Sequence, residues 1–408
     1  MLRVLTLATL FPDATRPNFG VFVERQTRGL AAHPDVDLRV IAPIGLPPWP
    51  ATRHPRYRAL ARLPEREERN GIAVLRPRFL TLPGTAGRHH VAALTRALVP
   101  LVESLRTAFP FDVIDAEFFF PDGPAAIALG RRYGVPVSIK ARGADIHHWG
   151  RGPTAAQVLA AGRAAGGLLA VSEAMKRDMI ALGLPSEPIR VHRTGVDLDR
   201  FAPLATDSAL PNPGAAFPQG NHARTAAKAA LGVSGPLVVS VGALIERKGH
   251  AVVIEAMRDV PDATLLIAGE GPERGRLEAL IARLGLADRV RLLGAVPHAD
   301  LPRLLAAADV SALASSSEGL ANAWVESLAC GTPVVITEAG GARELVRDDS
   351  AGRVVARTAP AFAAAIRDLL AHPPSSEAAR RSALPFTWAA NTAALHAHLS
   401  DLVVQAKG

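Results

Sequence analysis

Short apolar runs alternate with longer amphipathic stretches along the whole chain. This alternation is typical of parallel sheets whose faces are covered by helices. The strands that it predicts in the first half are Val4–Ala8, Leu38–Ala42, Ala73–Arg76, Val113–Asp115, Val137–Lys140 and Gly167–Val171. Those in the second half are Leu237–Val241, Thr264–Ala268, Val290–Leu293, Val310–Leu313, Val334–Ile336 and Gly352–Val355. We therefore expect an α/β protein with doubly wound parallel sheets.

Helices are predicted between these strands, and the clearest amphipathic stretches are Phe22–Ala32, His90–Thr107, Pro124–Tyr133 and Glu173–Leu182. A last helix is expected near Trp388–Val404. Residues 43–70 are rich in Pro and Arg and contain no clear strand, so the sequence predicts a mobile surface excursion there.

The length of 408 residues is too great for one ordinary hydrophobic core, so two domains are expected. Residues 204–235 are rich in Pro, Gly, Asn and Ala, which predicts a linker or an inserted loop. The first domain would then span residues 1–203 and the second residues 236–385. Residues 386–408 would form a terminal helix that packs back on the first domain.

Composition excludes several classes of protein. Hydrophobic residues make up 49% of the chain and the mean hydropathy is +0.16, as in a globular enzyme rather than a disordered chain. The one cysteine, Cys330, cannot form an intramolecular disulfide, which favours a reducing compartment. No apolar run reaches the roughly 20 residues that span a bilayer, so we expect a cytoplasmic protein.

The net charge of +8 is concentrated in the first half of the chain. Residues 1–200 contain 27 Lys and Arg against 18 Asp and Glu, whereas residues 201–408 contain 19 against 20. An anionic membrane surface, which would hold the protein peripherally on the inner face of the cytoplasmic membrane, suits this excess, and so does an acidic glycan. Solvated helix faces explain the excess equally well. Nucleic acid is not expected, because no binding motif accompanies the charge.

Residues 315–336, SSSEGLANAWVESLACGTPVVI, place two glutamates around a predicted helix start. Glu318 precedes Gly319, and Glu326 lies within a helix predicted over Leu320–Ala329. The two carboxylates are eight residues apart, which corresponds to roughly 12 Å of helix. Backbone N–H groups at such a helix start can bind a diphosphate, while the carboxylates reach sugar and ribose hydroxyls. The alternative is a solvated helix start with two surface glutamates.

Two cations follow the strand Leu237–Val241, at the edge where open parallel sheets bind ligands. Arg247 offers a planar fork to phosphate oxygens, and Lys248 offers a compact charge. Together they could stabilise a departing nucleoside diphosphate without a metal ion, although an Arg-Lys pair in a surface turn is common. The next glycine-rich turn, AGEGP at 268–272, does not complete GxGxxG, so a dinucleotide-binding fold is not predicted.

Two turns in the first half are further candidate ligand contacts. Gly20 opens the first helix after the first strand, where the backbone can approach a ligand. Arg142, Gly143 and Asp145 form a polar turn beyond another strand, which could contact a transferred sugar. No cluster of Cys, His or carboxylate residues has metal-ligand spacing, so no metal site is predicted.

These motifs resemble those of retaining glycosyltransferases of family 4, which have the GT-B fold, over nearly the whole chain. The most specific motif is E-x7-E, formed by Glu318 and Glu326 and preceded by GALIERKGH and GEGPERGRL in the family's usual order. VSEAMKRDM (171–179) and RTGVDLDRF (193–201) resemble the pattern that closes the family's first domain. The resemblance implies two Rossmann-like domains that face a central cleft.

The resemblance also implies a role for each candidate residue. Arg247 and Lys248 would hold the donor diphosphate, Glu318 would contact the donor sugar and Glu326 the ribose. Further donor contacts are implied at Gly20, Arg142, Asp145, Arg291, Gly319, Leu320 and Asn322. In this set the backbone of residues 319–322 would assist the phosphates, and the stretch 290–294 would lie against the base.

The chain departs from the family's pattern in two places. Many relatives carry His-Gly-x-Asp where this chain has Arg142-Gly143-Ala144-Asp145, and many carry His-x-His where it has Asp115–Glu117. Arginine cannot act as a neutral hydrogen-bond acceptor, so the role of that histidine is changed or absent. The arginine form resembles a branch that works on bacterial surface polysaccharides.

The expected function is metal-independent transfer of a sugar, with retention, from a UDP- or GDP-linked donor to a glycan or lipid-linked acceptor. The pathway implied is surface polysaccharide or lipopolysaccharide synthesis, and no cofactor beyond the donor is expected. The first domain would bind the acceptor and the second the donor. A sugar-nucleotide epimerase of the same fold and a non-catalytic nucleotide-sugar-binding module are the alternatives.

Overall fold

The computed structural model describes residues 1–143, 145–204 and 220–408. The chain divides into two compact units, one formed by Met1–Gly195 with Trp388–Gly408 and the other by Val196–Thr387. Each unit contains its own parallel sheet with helices around it. The predicted α/β class with two Rossmann-like domains is therefore confirmed.

An eight-stranded sheet forms the centre of the first unit, with the strand order β10-β9-β8-β7-β1-β2-β5-β4. The strands of this unit are β1 (Leu2–Leu7), β2 (Val36–Ile41), β3 (Ile44–Leu46), β4 (Arg66–Arg69), β5 (Ile72–Leu75), β6 (Arg78–Leu80), β7 (Val113–Ala116), β8 (Val137–Ala141), β9 (Gly167–Ala170) and β10 (Ile189–Val191). Within the sheet only β4 and β5 pair antiparallel, and β3 pairs with β6 outside it. The strand order reverses between β1 and β7, which makes their carboxyl ends the expected place for a ligand.

Seven helices surround this sheet and its small neighbour. They are α1 (Val21–Ala31), α2 (Pro55–Ala61), α3 (His90–Ala108), α4 (Asp122–Tyr133), α5 (Ala155–Ala164), α6 (Glu173–Ala181) and the terminal helix α15 (Trp388–Lys407). A turn of π-helix covers Asp145–Trp149. The terminal helix packs on α1, and its Leu395 and Leu399 enter the same buried cluster as Val4 and Val113.

Residues 43–70 contain regular elements where the sequence predicted a mobile excursion. Strand β3, helix α2 and strand β4 all lie within this range. The sequence of β4 is REER, which has no apolar alternation, because β4 is an edge strand with little burial. The buried Leu60 and Leu63 hold the segment against Ile44.

The second unit has a six-stranded sheet in which every neighbouring pair is parallel, with the order β13-β12-β11-β14-β15-β16. Its strands are β11 (Leu237–Val241), β12 (Thr264–Ala268), β13 (Val290–Gly294), β14 (Val310–Leu313), β15 (Val334–Thr337) and β16 (Gly352–Val355). Its helices are α7 (Gly220–Ala230), α8 (His250–Ala256), α9 (Arg274–Arg283), α10 (Leu301–Ala307), α11 (Asn322–Ala329), α12 (Ala342–Leu345), α13 (Ala359–Ala371) and α14 (Ser376–Arg381). The strand order reverses between β11 and β14, as in dinucleotide-binding sheets.

The boundary between the units differs from the predicted one. The first unit ends at Gly195 rather than at residue 203. The predicted linker, 204–235, contains the helix α7. Its alanine-rich sequence, which has no proline, favours a helix. Residues 205–219 of that linker lie outside the described residues.

In the described ranges, none of the helices combines the length and the apolar character that crossing a membrane requires.

We predict that Leu399→Ala lowers the free energy of unfolding by about 2–5 kcal/mol, because it removes a side chain that is 0% exposed from the cluster under α15. Val404→Ala is the matched control on the same helix, since Val404 is 70% exposed and should cost little. Urea-induced unfolding of both variants measures the difference. Equal losses in the two variants would show that α15 does not contribute to the core of the first unit.

Candidate active site

The second unit brings Arg247, Lys248 and Glu318 into contact. Lys248 Nζ donates a hydrogen bond to Glu318 Oε1 over 2.5 Å, and Ser315 Oγ donates to the same oxygen over 2.7 Å. Arg247 Nη1 lies 3.4 Å from Glu318 Oε2. The Glu318 side chain is 8% exposed, whereas those of Lys248 and Arg247 are 16% and 38% exposed. The three residues therefore form one partly buried group of charges, which we call the Glu318 cluster.

The strand order explains why these residues meet. Arg247 and Lys248 belong to a 3-10 turn, Glu246–Lys248, that follows β11, and Glu318 lies in the loop that follows β14. Because β11 and β14 are parallel neighbours, both loops begin at the carboxyl ends of the strands, at the place where the strand order reverses. Ser316 N donates to Arg247 O over 2.8 Å, which joins the two loops directly.

Two further contacts fix the Glu318 loop. Arg357 Nε donates to Ala314 O over 2.8 Å, and its Nη2 donates to Glu246 O over 2.9 Å. Gly340 has a φ of 52°, and a Cβ at this residue would lie 2.3 Å from Glu318 O, so a glycine is required where this loop passes. The backbone around Glu318 is thus held from several directions before any ligand binds.

The charges of the Glu318 cluster do not cancel. Two cations face one carboxylate, which leaves one positive charge in excess when all three groups are ionised. An ammonium group carries three donors, so the bond from Lys248 to Glu318 leaves further donors for another acceptor. This arrangement favours a bound anion such as a diphosphate, and it orients Glu318 at the same time.

Helix α11 begins at Asn322, so Gly319 and Leu320 lie in the loop before it rather than in its first turn. Glu326 lies one turn into the helix. Its Oε1 is 3.0 Å from Nε2 of His298, a residue that the sequence analysis did not single out. The structure therefore gives the two glutamates of the E-x7-E motif separate partners.

Arg291 is not brought to the Glu318 cluster. It is the second residue of β13, the strand at the far edge of the sheet, and its Nη2 donates to Leu231 O over 2.9 Å. It lies near the amino end of its strand, whereas the cluster lies beyond the carboxyl ends. The hydrogen bond to Leu231 gives its guanidinium group a role within the fold, which differs from the predicted contact with a base.

Gly20 lies directly before α1, as predicted, with a φ of 74°. A Cβ at this position would lie 2.5 Å from Leu10 O, so the turn between β1 and α1 itself requires a glycine. The turn alone therefore accounts for a glycine at this position, and no ligand is needed to explain it. Contact of Gly20 with a donor stays a prediction.

Asp145 is fully buried and serves the turn in which it lies. Its carboxylate accepts hydrogen bonds from the backbone N–H groups of Gly143 at 2.7 Å, Arg142 at 3.0 Å and Phe119 at 3.3 Å. Burial raises the pKa of Asp145, and these backbone hydrogen bonds oppose the rise. With 0% exposure, the side chain holds the backbone of Arg142, Gly143 and Phe119 in place rather than facing a ligand.

A buried group of charged and amide side chains lies next to this turn. Glu117 Oε2 accepts from Arg142 Nη2, and its Oε1 accepts from Gln26 Nε2. Lys140 Nζ donates to Gln26 Oε1 over 2.6 Å and lies 3.7 Å from Glu117 Oε2. We call Gln26, Glu117, Lys140 and Arg142 the Glu117 network. It lies beyond the carboxyl ends of β7 and β8, beside the switch point of the first unit.

Burial governs the ionisation of this region. Burial would raise the pKa of Glu117, but Lys140 and Arg142 together hold that pKa below its ordinary value. Burial lowers the pKa of Lys140, and the Glu117 carboxylate opposes the change. Burial, followed by the nearby Glu117 charge, raises the pKa of Asp115. Glu117 is thus the carboxylate that stays ionised between two cations.

The Glu117 network connects the two segments in which the sequence departs from the pattern of the family that it resembles. Arg142 opens the Arg-Gly-x-Asp motif, and Glu117 ends the stretch 115–117. In the structure their side chains form one ion pair. The sequence offered one signal for this network, a lysine inside the apolar strand β8, and it offered none for the pairing.

We predict that Glu117→Gln and Arg142→Gln each lower the stability of the first unit by about 3–5 kcal/mol. The first change leaves two buried cations without their carboxylate, and the second removes the nearer of the two cations that face Glu117. The double variant should lose less than the sum of the two. Hydrogen exchange of peptides from β7 and β8 measures the local opening free energy. The exposed pair Glu103 and Arg132 provides a control cycle that should show no coupling. Additive losses at Glu117 and Arg142 would contradict a coupled pair.

Comparison with known families and proteins gives two matches that follow one another along the chain. Residues 20–200 match the family model described as Glycosyltransferase Family 4. Residues 223–384 match the model described as Glycosyl transferases group 1. The first match lies in the first unit except for residues 196–200, and the second match lies within the second unit.

Relatives with assigned names agree with these matches. A Bacillus subtilis protein, provisionally named the teichuronic acid biosynthesis glycosyltransferase TuaC, is 28% identical over 377 residues, which cover 90% of this chain and 88% of that protein. A GDP-mannose-dependent alpha-(1-6)-phosphatidylinositol monomannoside mannosyltransferase of Mycolicibacterium smegmatis is 37% identical over 201 residues, 46% of this chain and 49% of that protein.

Solved structures show a similar fold over the whole chain. Sucrose-phosphate synthase of Thermosynechococcus elongatus superposes with a TM-score of 0.79 at 19% identity, covering 99% of this chain and 100% of that one. Anabaena Alr3699/HepE in complex with UDP-glucose gives a TM-score of 0.71 at 20% identity, covering 98% of this chain and 100% of that one. The protein is therefore a glycosyltransferase of the GT-B fold, with a family 4 first domain followed by a group 1 second domain.

Proposed function

We propose that this glycosyltransferase transfers a sugar from a nucleotide-sugar donor to a glycan or lipid-linked acceptor, with retention of the anomeric configuration, in bacterial surface polysaccharide synthesis. The second unit binds the donor and the first unit binds the acceptor. The observation that carries this proposal is the Glu318 cluster, which gathers two cations and one oriented carboxylate at the switch point of the second sheet.

The Glu318 cluster suits the departure of a diphosphate. When the bond from the anomeric carbon to the diphosphate oxygen breaks, that oxygen gains negative charge. Lys248 and Arg247 stabilise this charge because they are held in position before the reaction. The acceptor hydroxyl attacks on the face from which the diphosphate leaves and gives its proton to the departing phosphate oxygen. Glu318 accepts hydrogen bonds from the sugar hydroxyls while its bond to Lys248 fixes its orientation.

The donor base is proposed from what relatives bind. HepE structures exist in complex with UDP, with UDP and glucose, and with UDP-glucose, and the Mycolicibacterium relative is named as GDP-mannose-dependent. The proposed donor is accordingly a UDP- or GDP-linked hexose. The link to surface polysaccharides rests on the relative named for teichuronic acid biosynthesis and on a Rhizobium meliloti relative named for lipopolysaccharide core biosynthesis, which is 41% identical over 137 residues.

A screen of thermal stability with UDP, GDP and ADP tests donor binding first. At equal concentration, the nucleotide that binds more tightly raises the midpoint of unfolding further, so the true base should give the largest shift. The matching nucleotide sugar, incubated in EDTA with lipid-linked acceptor, should then yield a glycoside with the anomeric configuration of the donor by NMR. An epimerised nucleotide sugar, an inverted product or activity that requires added Mg²⁺ would each contradict part of the proposal.

We predict that Lys248→Ala lowers turnover about 30- to 1000-fold, because it removes one donor that stabilises the leaving group, worth about 2–4 kcal/mol. Lys228→Ala is a matched control, since Lys228 Nζ also lies 2.5 Å from a carboxylate, that of Asp309, but near the amino ends of the strands. Steady-state kinetics at saturating and low donor concentration measures both variants. Equal turnover in the two would remove Lys248 from the active site.

We also propose that the first unit docks on an anionic membrane through the segment from Trp49 to Arg62. Trp49 is 71% exposed, and the Arg53 guanidinium carbon lies 5.2 Å from the centre of its ring. Arg56, Arg58 and Arg62 are exposed on and after α2. Each Lys or Arg near an anionic bilayer contributes about 1 kcal/mol, and Trp favours the interface, so this segment combines the two features of a peripheral membrane contact.

Sedimentation with phosphatidylserine vesicles at low and high salt tests this docking. We predict binding that salt weakens, because exposed charges are screened within about a Debye length. Changing Arg53, Arg56, Arg58 and Arg62 together to Ser should abolish it. The control variant changes four exposed arginines elsewhere in the unit, which are Arg131, Arg163, Arg177 and Arg190. Wild-type protein that stays in the supernatant, or equal loss in both variants, would contradict docking through this segment.

A further inference from the structure

The side chain of His298 is fixed between Glu326 and Phe201. Its Nε2 is 3.0 Å from Glu326 Oε1, and its ring meets the Phe201 ring edge to face with centroids 5.2 Å apart. Phe201 is fully buried, and its carbonyl oxygen accepts from Arg380 Nη1 over 2.7 Å. The imidazole therefore stands in one position, which is decided by the fold and not by a ligand.

The contacts of Arg380 extend this support to the helix that carries Glu326. Arg380 Nη1 also donates to Ala329 O at the end of α11, and its Nη2 donates to Leu198 O over 2.7 Å. One guanidinium group thus connects the segment that packs on His298 with the last turn of the Glu326 helix. The hydrogen bonds of Arg380 to both segments consequently fix the position of the His298 imidazole relative to the Glu326 carboxylate.

We propose that His298 is a positioning residue that holds Glu326 in the orientation in which it binds the ribose of the donor nucleotide. This inference rests on the proposed function, since it presumes a nucleotide donor in the second unit. A glutamate has three side-chain torsions, and an unsupported carboxylate at the start of a helix samples several of them. The bond from His298 selects one orientation and occupies one acceptor position on Oε1.

The carboxylate keeps enough acceptor capacity for a vicinal diol. An ionised carboxylate offers about four acceptor positions, so one bond from His298 leaves room for two ribose hydroxyls. Hydrogen bonds to a charged group are stronger than neutral ones, and a group that is oriented in advance loses less freedom when it binds. His298 should therefore strengthen the part of the affinity that depends on the ribose hydroxyls.

The experiment couples a protein change to a ligand change. Calorimetry measures the dissociation constants of the better binder of UDP and GDP and of its 2′,3′-dideoxy analogue, with wild type, His298→Ala and His298→Gln. The wild type should prefer the ribose form by about tenfold or more, as expected for lost bonds to a charged acceptor. His298→Ala should reduce this preference to about two- or threefold. His298→Gln should keep most of it, because the glutamine amide can donate from nearly the position of Nε2.

His372→Ala is the matched control, since His372 directly follows α13, is exposed, and has its Nδ1 3.4 Å from a carboxylate oxygen of Asp368. Its preference for the ribose form should equal that of the wild type. If His298→Ala raises the dissociation constants of the nucleotide and of its dideoxy analogue by the same factor, the histidine only supports the fold and the inference is overturned. A wild type that binds neither UDP nor GDP would overturn the proposed donor itself, and a wild type that binds both forms equally would overturn the ribose contact alone.

Discussion

The parallel pairing of strands is the constraint on which this molecule depends. In a parallel sheet the chain must return to the same end of the sheet before each new strand begins. The carboxyl ends of all parallel strands therefore lie together at the opposite end. In each sheet the strand order reverses at one place, which is between β1 and β7 in the first unit and between β11 and β14 in the second. The loops that follow the two strands at such a place diverge and leave room for side chains. Both charged groups described above lie at these two places.

The two groups use charge differently. The Glu117 network is buried, and each charge in it has a partner within the network, so it stabilises one conformation of the loops at the edge of the first sheet. The Glu318 cluster also pairs two cations with one carboxylate, but it is more exposed, so its cations can still bind a further anion. The same residue types, Lys, Arg and Glu, therefore serve the fold in one unit and suit ligand binding in the other. The difference lies in exposure.

The sequence allowed the sheet to be predicted more closely than the site. Largely apolar runs such as Leu237–Val241 and Val310–Leu313 coincide with β11 and β14, because a strand buried on both faces is almost continuously apolar. The charged edge strand β4 and the helix α7 lack that signal and were missed. The spacing of Glu318 and the Arg247-Lys248 pair indicated one site, but a spacing along the chain does not reveal that the three side chains touch. The partners of Glu326 and Arg142 come from distant segments, which no local pattern records.

The ion pair of Glu117 and Arg142 has a consequence for how this protein can change over evolutionary time. A histidine introduced at either position alone would meet a charged residue adapted to the other form, and the intermediate would carry an unmatched charge in a buried place. Two lineages that differ at both positions are therefore separated by a barrier that single substitutions cross only through a less stable ancestor. A chimaera made from two such lineages should fold poorly unless both positions come from the same parent. Exchange of the second unit alone leaves the pair intact, because both residues lie in the first unit.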